Sequence, residues 1–147
     1  MLKSLFFGDV GGCIGETSVL FLLVGALILL VTGVITWHTP VSYILSFSTV
    51  IFSYYFFTDS SEPVRALLFH LLSGGLMIGA FFMATDMVTS PVSKKGMLIF
   101  GAGCGLIAAS IRLFGGYPEG VSYSILFMNT LVPIIDRYTK NKVYGKR

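Results

Sequence analysis

Five apolar stretches dominate this chain, each close to the length a helix needs to cross a hydrocarbon core of roughly 30 Å. They run over 18–36, 41–57, 66–85, 96–111 and 121–135, and leave a polar tail at 136–147. An open strand in lipid would strand its main-chain polar groups, and no period-two alternation suggests a barrel. The expectation is therefore an all-α membrane protein of about five transmembrane helices, with 1–147 as a single transmembrane domain. Composition agrees: 54% of the 147 residues are hydrophobic and 12% are charged, against roughly 25% charged in a soluble domain. The net charge of +3 is no nucleic-acid signal, because five of the ten basic residues (Arg137, Lys140, Lys142, Lys146, Arg147) crowd the last eleven positions.

Lysine and arginine in short loops set orientation. With five spans, one side receives seven basic residues, including Lys94 and Lys95 and the five of the tail; the other receives Lys3, Arg65 and Arg112. This predicts a cytoplasmic C-terminus and an exported N-terminus. An odd span count with such an N-terminus points to a preceding half outside this sequence. Cys13 and Cys104 have neither a C-x-x-C spacing nor a zinc pattern.

Polar groups at membrane depth are costly unless paired or functional, so they carry the information. Three clusters stand out. The first is the glycine-rich Gly8–Ser18, which places Glu16 at the mouth of the first helix; Thr17 or Ser18 there is equally readable as an ordinary N-cap. In the second, Phe82–Pro91, the carboxylate of Asp86 abuts an apolar helix, with Thr85, Thr89 and Ser90 beside it and Pro91 discouraging further helix. Broken segments of this kind are where transporters present half-helix ends to ions; the alternative is a plain loop starting at Asp86. The third runs from Arg112 to Gly120 and continues into Asn129, Pro133 and Asp136. Arg112 and Glu119 are placed to clamp the turn at Tyr117, Asn129 and Pro133 point to an irregular last helix with freed carbonyls, and Asp136 has Arg137 and the tail lysines as basic neighbours. His70 reads as a hydrogen-bonded packing residue, and Gly101, Gly103 and Gly105 as a close helix contact. No strand and no G-x-x-x-x-G-K-[ST] pattern precedes these glycines, which excludes a P-loop.

Taken together, Gly15-Glu16-Thr17-Ser18, Phe82–Pro91, Arg112–Gly120 and Asn129–Tyr138 resemble the C-terminal half of RnfD, a membrane component of the Rnf electron transport complex. They are similar as well to the homologous B component of the sodium-pumping NADH:quinone reductase. Phe114-Gly115-Gly116 ahead of Tyr117-Pro118-Glu119-Gly120 favours the Rnf side. The resemblance implies a ten-helix fold of two inverted repeats, similar to urea transporters, of which this chain is the second repeat. It also implies a place among the other subunits of a plasma-membrane complex that couples electron transfer between ferredoxin and NAD to sodium or proton movement. Family members carry FMN on the threonine of a Ser-Gly-Ala-Thr motif. That motif is missing here, where Ser73-Gly74-Gly75-Leu76 lacks the threonine, so the covalent site falls outside this chain. Glu16 and Asp86, and more weakly Asp136, are the candidate ion-coupling carboxylates, because a hard oxygen ligand near backbone carbonyls replaces part of an ion's hydration shell. No side chain here is an electron carrier by itself, and the chain is not expected to be catalytic alone. A competing expectation is a stand-alone small channel or solute transporter built from half-repeats.

Overall fold

The computed structural model describes residue 7 and residues 18–58, 62–73, 75–115 and 120–139, which among themselves are helical with no strand. The helices are α1 (Val19–Val31), α2 (His38–Phe57), α3 (Pro63–Leu72), α4 (Leu76–Ile78, continuing as a π-helical turn over Gly79–Met83), α5 (Lys94–Phe114) and α6 (Val121–Tyr138). By length and composition α2 and α5 each suffice to cross a bilayer, and the bent α3–α4 pair adds a third crossing if taken as one span.

Helix boundaries depart from the apolar stretches where backbone chemistry overrides hydropathy. The first stretch reaches residue 36, but α1 stops at Val31 because Gly33 takes the left-handed conformation (φ 74°). Gly33 N–H then bonds Leu30 O at 3.2 Å and Val34 N–H bonds Leu29 O at 3.0 Å, the paired closure of a Schellman motif. At the start of α2, Pro40 falls in the first turn, where its missing N–H costs no helical bond, so the helix begins at His38 rather than after the proline. Pro63 opens α3 in the same way. The largest departure is at 66–85, expected as one span. Ser73 is extended and Gly75 left-handed (φ 64°), and the two halves bend by 65°. α6, by contrast, runs unbroken through Pro133.

The core forms where α2 crosses α5. A Cβ on Gly101 would sit 2.6 Å from Thr39 O, and one on Gly105 would sit 2.5 Å from Tyr43 O. Two glycines four apart thus let the helix backbones touch, the small-xxx-small solution of membrane packing. Ser42 Oγ donates to Leu98 O at 2.6 Å across the same seam. Tyr43, Phe47, Ile51, Phe100, Cys104 and Ala108 fill the centre, and Leu76, Ala80, Val121, Ile125 and Met128 bring in α4 and α6. Large apolar side chains such as Phe21, Leu27, Val31, Phe57 and Phe127 face outward, which suits a lipid surface.

Candidate ion-coupling site

Breaking a helix frees the carbonyls of its last turn, and in a low-dielectric setting each needs a donor. At the α3 break that donor is Arg112, from the last turn of α5. Its Nη1 donates to His70 O at 2.6 Å and its Nη2 to Ser73 O at 3.0 Å, while the guanidinium lies 5.2 Å from the Phe47 ring centre. The fork of donors suits this task as no ammonium would. Arg112 thus holds the bend between α3 and α4; the expected clamp with Glu119 across the turn at Tyr117 lies outside the described residues. His70 is a packing residue with a partner, its Nε2 3.1 Å from the Tyr55 hydroxyl.

Beyond the break, the chain passes through the π-helical turn, closed by Ala84 N–H on Gly79 O at 2.8 Å, and emerges at Thr85-Asp86. Wide turns of this type are enriched at functional positions. Asp86 nucleates a tight turn: its Oδ1 accepts from Val88 N–H and its Oδ2 from Thr89 Oγ1, both at 3.3 Å, and Ser90 N–H reaches Asp86 O at 3.1 Å. The carboxylate is exposed and spends its bonds within its own turn. Thr85 Oγ1 turns back to Phe81 O at 2.6 Å.

The far end of this loop is tied to the end of α6. Asp136 Oδ1 accepts from Val92 N–H at 3.2 Å, Ser93 Oγ donates to Thr139 Oγ1 at 2.6 Å, and the same Ser93 Oγ caps α5 by accepting from Gly96 N–H at 2.9 Å. Among the described residues the partner of Asp136 is thus a main-chain amide, and the tail lysines lie outside them. Neither Asp86 nor Asp136 forms an ion pair among the described residues, where Glu62 and Arg65 pair at the surface (3.0 Å). Asp86 and Asp136 accordingly serve opposite ends of one loop. Glu16 and Thr17 lie outside the described residues. Ser18 occupies the N-cap position of α1, yet its hydroxyl makes no capping bond.

A cavity of about 220 Å³ separates this loop from the α1–α2 turn. Thr36, Thr39, Thr85 and Ser90 are among its lining residues, and the rest of the wall is apolar, from Val34 and Ile35 to Pro91 and Met97. Thr36 and Thr39 carried no signal in the sequence, since single threonines in an apolar run look like ordinary span residues. Hydroxyl and carboxylate oxygens at one end of a broken span are hard ligands for a hard cation. No three His, Cys, Asp or Glu side chains cluster among the described residues. A covalent flavin does not fit the region closest to its family motif. Ser73 and Gly75 form the bend itself, the Ser73 carbonyl is taken by Arg112, and Leu76, at the threonine position, is buried in the core.

Residues 1–145 match the NQR2, RnfD, RnfE family. The D component of the Na(+)-translocating ferredoxin:NAD(+) oxidoreductase complex of Acetobacterium woodii is 51% identical over 143 residues, covering 96% of this chain and 42% of that protein. Its counterpart in the proton-translocating ferredoxin:NAD(+) oxidoreductase complex of Clostridium ljungdahlii is 45% identical over 149 residues (100% of this chain, 44% of the relative). The D component of the ion-translocating oxidoreductase complex of Stutzerimonas stutzeri is 43% identical over 147 residues (99% and 40%). The chain spans about two fifths of the length of these relatives. Across nearly its whole length, then, the chain is a member of the NQR2, RnfD, RnfE family.

Proposed function

We propose that this chain is the ion-handling part of an RnfD component in an Rnf-type complex, which couples electron transfer between ferredoxin and NAD to sodium or proton movement across a bacterial plasma membrane. The observation that carries the reading is the broken third span. Arg112 fixes the break, and the chain beyond it carries Asp86 and Thr89 in a tight turn beside Thr85 and Ser90, which line a neighbouring cavity. A carboxylate at the end of a half-helix, with hydroxyl side chains beside it in the chain, offers an ion a partial replacement for its hydration shell. Relatives named for this activity at 51% and 45% identity support the assignment to such a complex. One of those names specifies sodium and the other protons, so the ion itself is a question for experiment.

In this reading α1, α2, α3 with α4, α5 and α6 form five spans, one repeat of a urea-transporter-like pair, with the basic tail in the cytoplasm. The chain works with the other subunits and with an N-terminal half that completes RnfD. FMN belongs to that half, and no step of electron transfer runs through the residues here. Expression of this chain in cells lacking the corresponding region of RnfD tests the proposal. Co-purification with the complex and restored ion-coupled NAD reduction by ferredoxin support it; a chain that reaches the membrane but neither assembles nor restores coupling refutes it. A reporter fused after Gly145 should be active only on the cytoplasmic side.

A further inference from the structure

Ser122, Asn129 and Asp136 are seven residues apart on α6. Seven residues are nearly two full turns, with a drift of about 20° per step, so the three share one flank of the helix. That flank lies beside the core face. Val121 and Ile125 close over Gly79 of the π-helical turn at one level, and Asp136 and Thr139 hold the Asp86 loop at the other. Asn129 lies between these levels and is the midpoint of α6, a helix of 18 residues. At about 1.5 Å per residue it is roughly 12 Å from either end, deep in a hydrocarbon core some 30 Å thick.

One side-chain acceptor at this depth lacks a donor, and one main-chain acceptor lacks its usual helical one. The Asn129 side-chain oxygen Oδ1 is buried without a hydrogen-bond partner among the described residues. Four residues on, where an N–H would close the helical bond to the Asn129 carbonyl, stands Pro133, which has none. One residue therefore offers an amide oxygen and a main-chain oxygen, and an acceptor left unmatched in lipid is costly. The oxygen groups are hard and uncharged, the ligand chemistry that replaces water around an alkali cation without trapping it. The flank leads at its end to Asp136, whose Oδ1 is taken by Val92 N–H.

We propose that Asn129, through Oδ1 and its own carbonyl, forms the α6 side of a monovalent-cation site at mid-membrane. The site lies on the ion's route past the Asp86 loop, and it rests on the ion-translocation reading above. Sodium is the probe. The complete complex is purified with wild-type chain, with Asn129→Leu, with Pro133→Ala and with Asp86→Asn. The midpoint of thermal unfolding is followed against sodium chloride, with choline chloride holding ionic strength constant, since an ion that binds the folded state raises the midpoint. Sodium should stabilise the wild type, and the half-saturating concentration should rise about tenfold or more in Asn129→Leu, the loss of roughly one good ligand. Pro133→Ala keeps the amide and restores the missing N–H, so it folds at least as well and should shift sodium binding in the same direction. No sodium-specific stabilisation of the wild type, or unchanged half-saturation in both variants, overturns the site. So does an Asn129→Leu complex that fails to assemble beside a Pro133→Ala complex that binds sodium like wild type, because Asn129 is then only a helix-packing residue. Asp86→Asn separates the two claims: if it abolishes the ion dependence of turnover while the Asn129 and Pro133 variants bind sodium normally, the site falls and the Asp86 reading stands. If the Asn129 variants lose sodium and Asp86→Asn changes nothing, the Asp86 reading falls and the site stands.

Discussion

The same substitution at two glycines of α5 should have unequal consequences. Adding a methyl at Gly105 places Cβ 2.5 Å from Tyr43 O and 2.9 Å from Phe47 N, both main-chain atoms of α2. Restoring ordinary contact requires α2 to withdraw by nearly 1 Å, which strains the Ser42–Leu98 bond and opens the seam at Phe47 and Phe100. Overpacking of this type costs about 1–3 kcal/mol, and the better helix propensity of alanine returns up to about 1 kcal/mol. Gly105→Ala should therefore destabilise by about 1–2 kcal/mol. At Gly103 the added methyl meets the end of the Met128 thioether, the far end of a flexible side chain and no backbone atom. Gly103→Ala should lie within about 0.5 kcal/mol of wild type or stabilise it. Unfolding of the detergent-solubilised protein, followed by helical circular dichroism in mixed micelles of increasing denaturing detergent, reports both. Equal losses at the two positions would refute the assignment of the α2–α5 backbone contact to Gly105.

Arg112→Lys keeps the charge but loses the forked contact to His70 O and Ser73 O, and should cost about 1–3 kcal/mol by the same assay; an unchanged midpoint would show that the break needs no clamp. Ser93→Ala removes both the α5 cap and the bond to Thr139, with an expected loss of about 1–2 kcal/mol and faster amide exchange at Gly96. Asp136→Ala should speed exchange of the Val92 amide and leave Val88 slow, since Val88 is held by Asp86 instead; unchanged exchange at Val92 would contradict the tether.

Hydropathy locates the helices well because lipid-facing side chains dominate it, and it misplaces their ends because ends are decided by single backbone residues. Gly33 and Gly75 stop helices inside apolar runs, while Pro40 sits harmlessly in a first turn. The close contact at Gly101 and Gly105 and the packing role of His70 follow from residue type and spacing. The break at Ser73–Gly75 is present in the sequence as two adjacent glycines within 66–85, but an apolar run of full membrane length outweighs them. Asp86 stands out as a charge beside an apolar helix. Its turn contacts, and the bond from Val92 to Asp136 across 44 positions, depend on tertiary placement that local pattern does not encode. Thr36 and Thr39 join the site through the fold of the α1–α2 turn against the loop, a juxtaposition without a sequence signature.

In the proposed function Asp86, delivered by the broken span, belongs to the ion-coupling machinery. Its most direct test is the cation dependence of ferredoxin-driven NAD reduction by the assembled complex in sealed vesicles, with Asp86→Asn compared to Glu62→Gln, a change in an exposed surface pair. Asp86→Asn should leave assembly intact and sharply weaken the dependence of turnover and ion uptake on the coupling cation, whereas Glu62→Gln should match wild type. An Asp86→Asn complex whose turnover and ion uptake follow the wild-type cation dependence would contradict the claim and reduce Asp86 to the residue that shapes its turn.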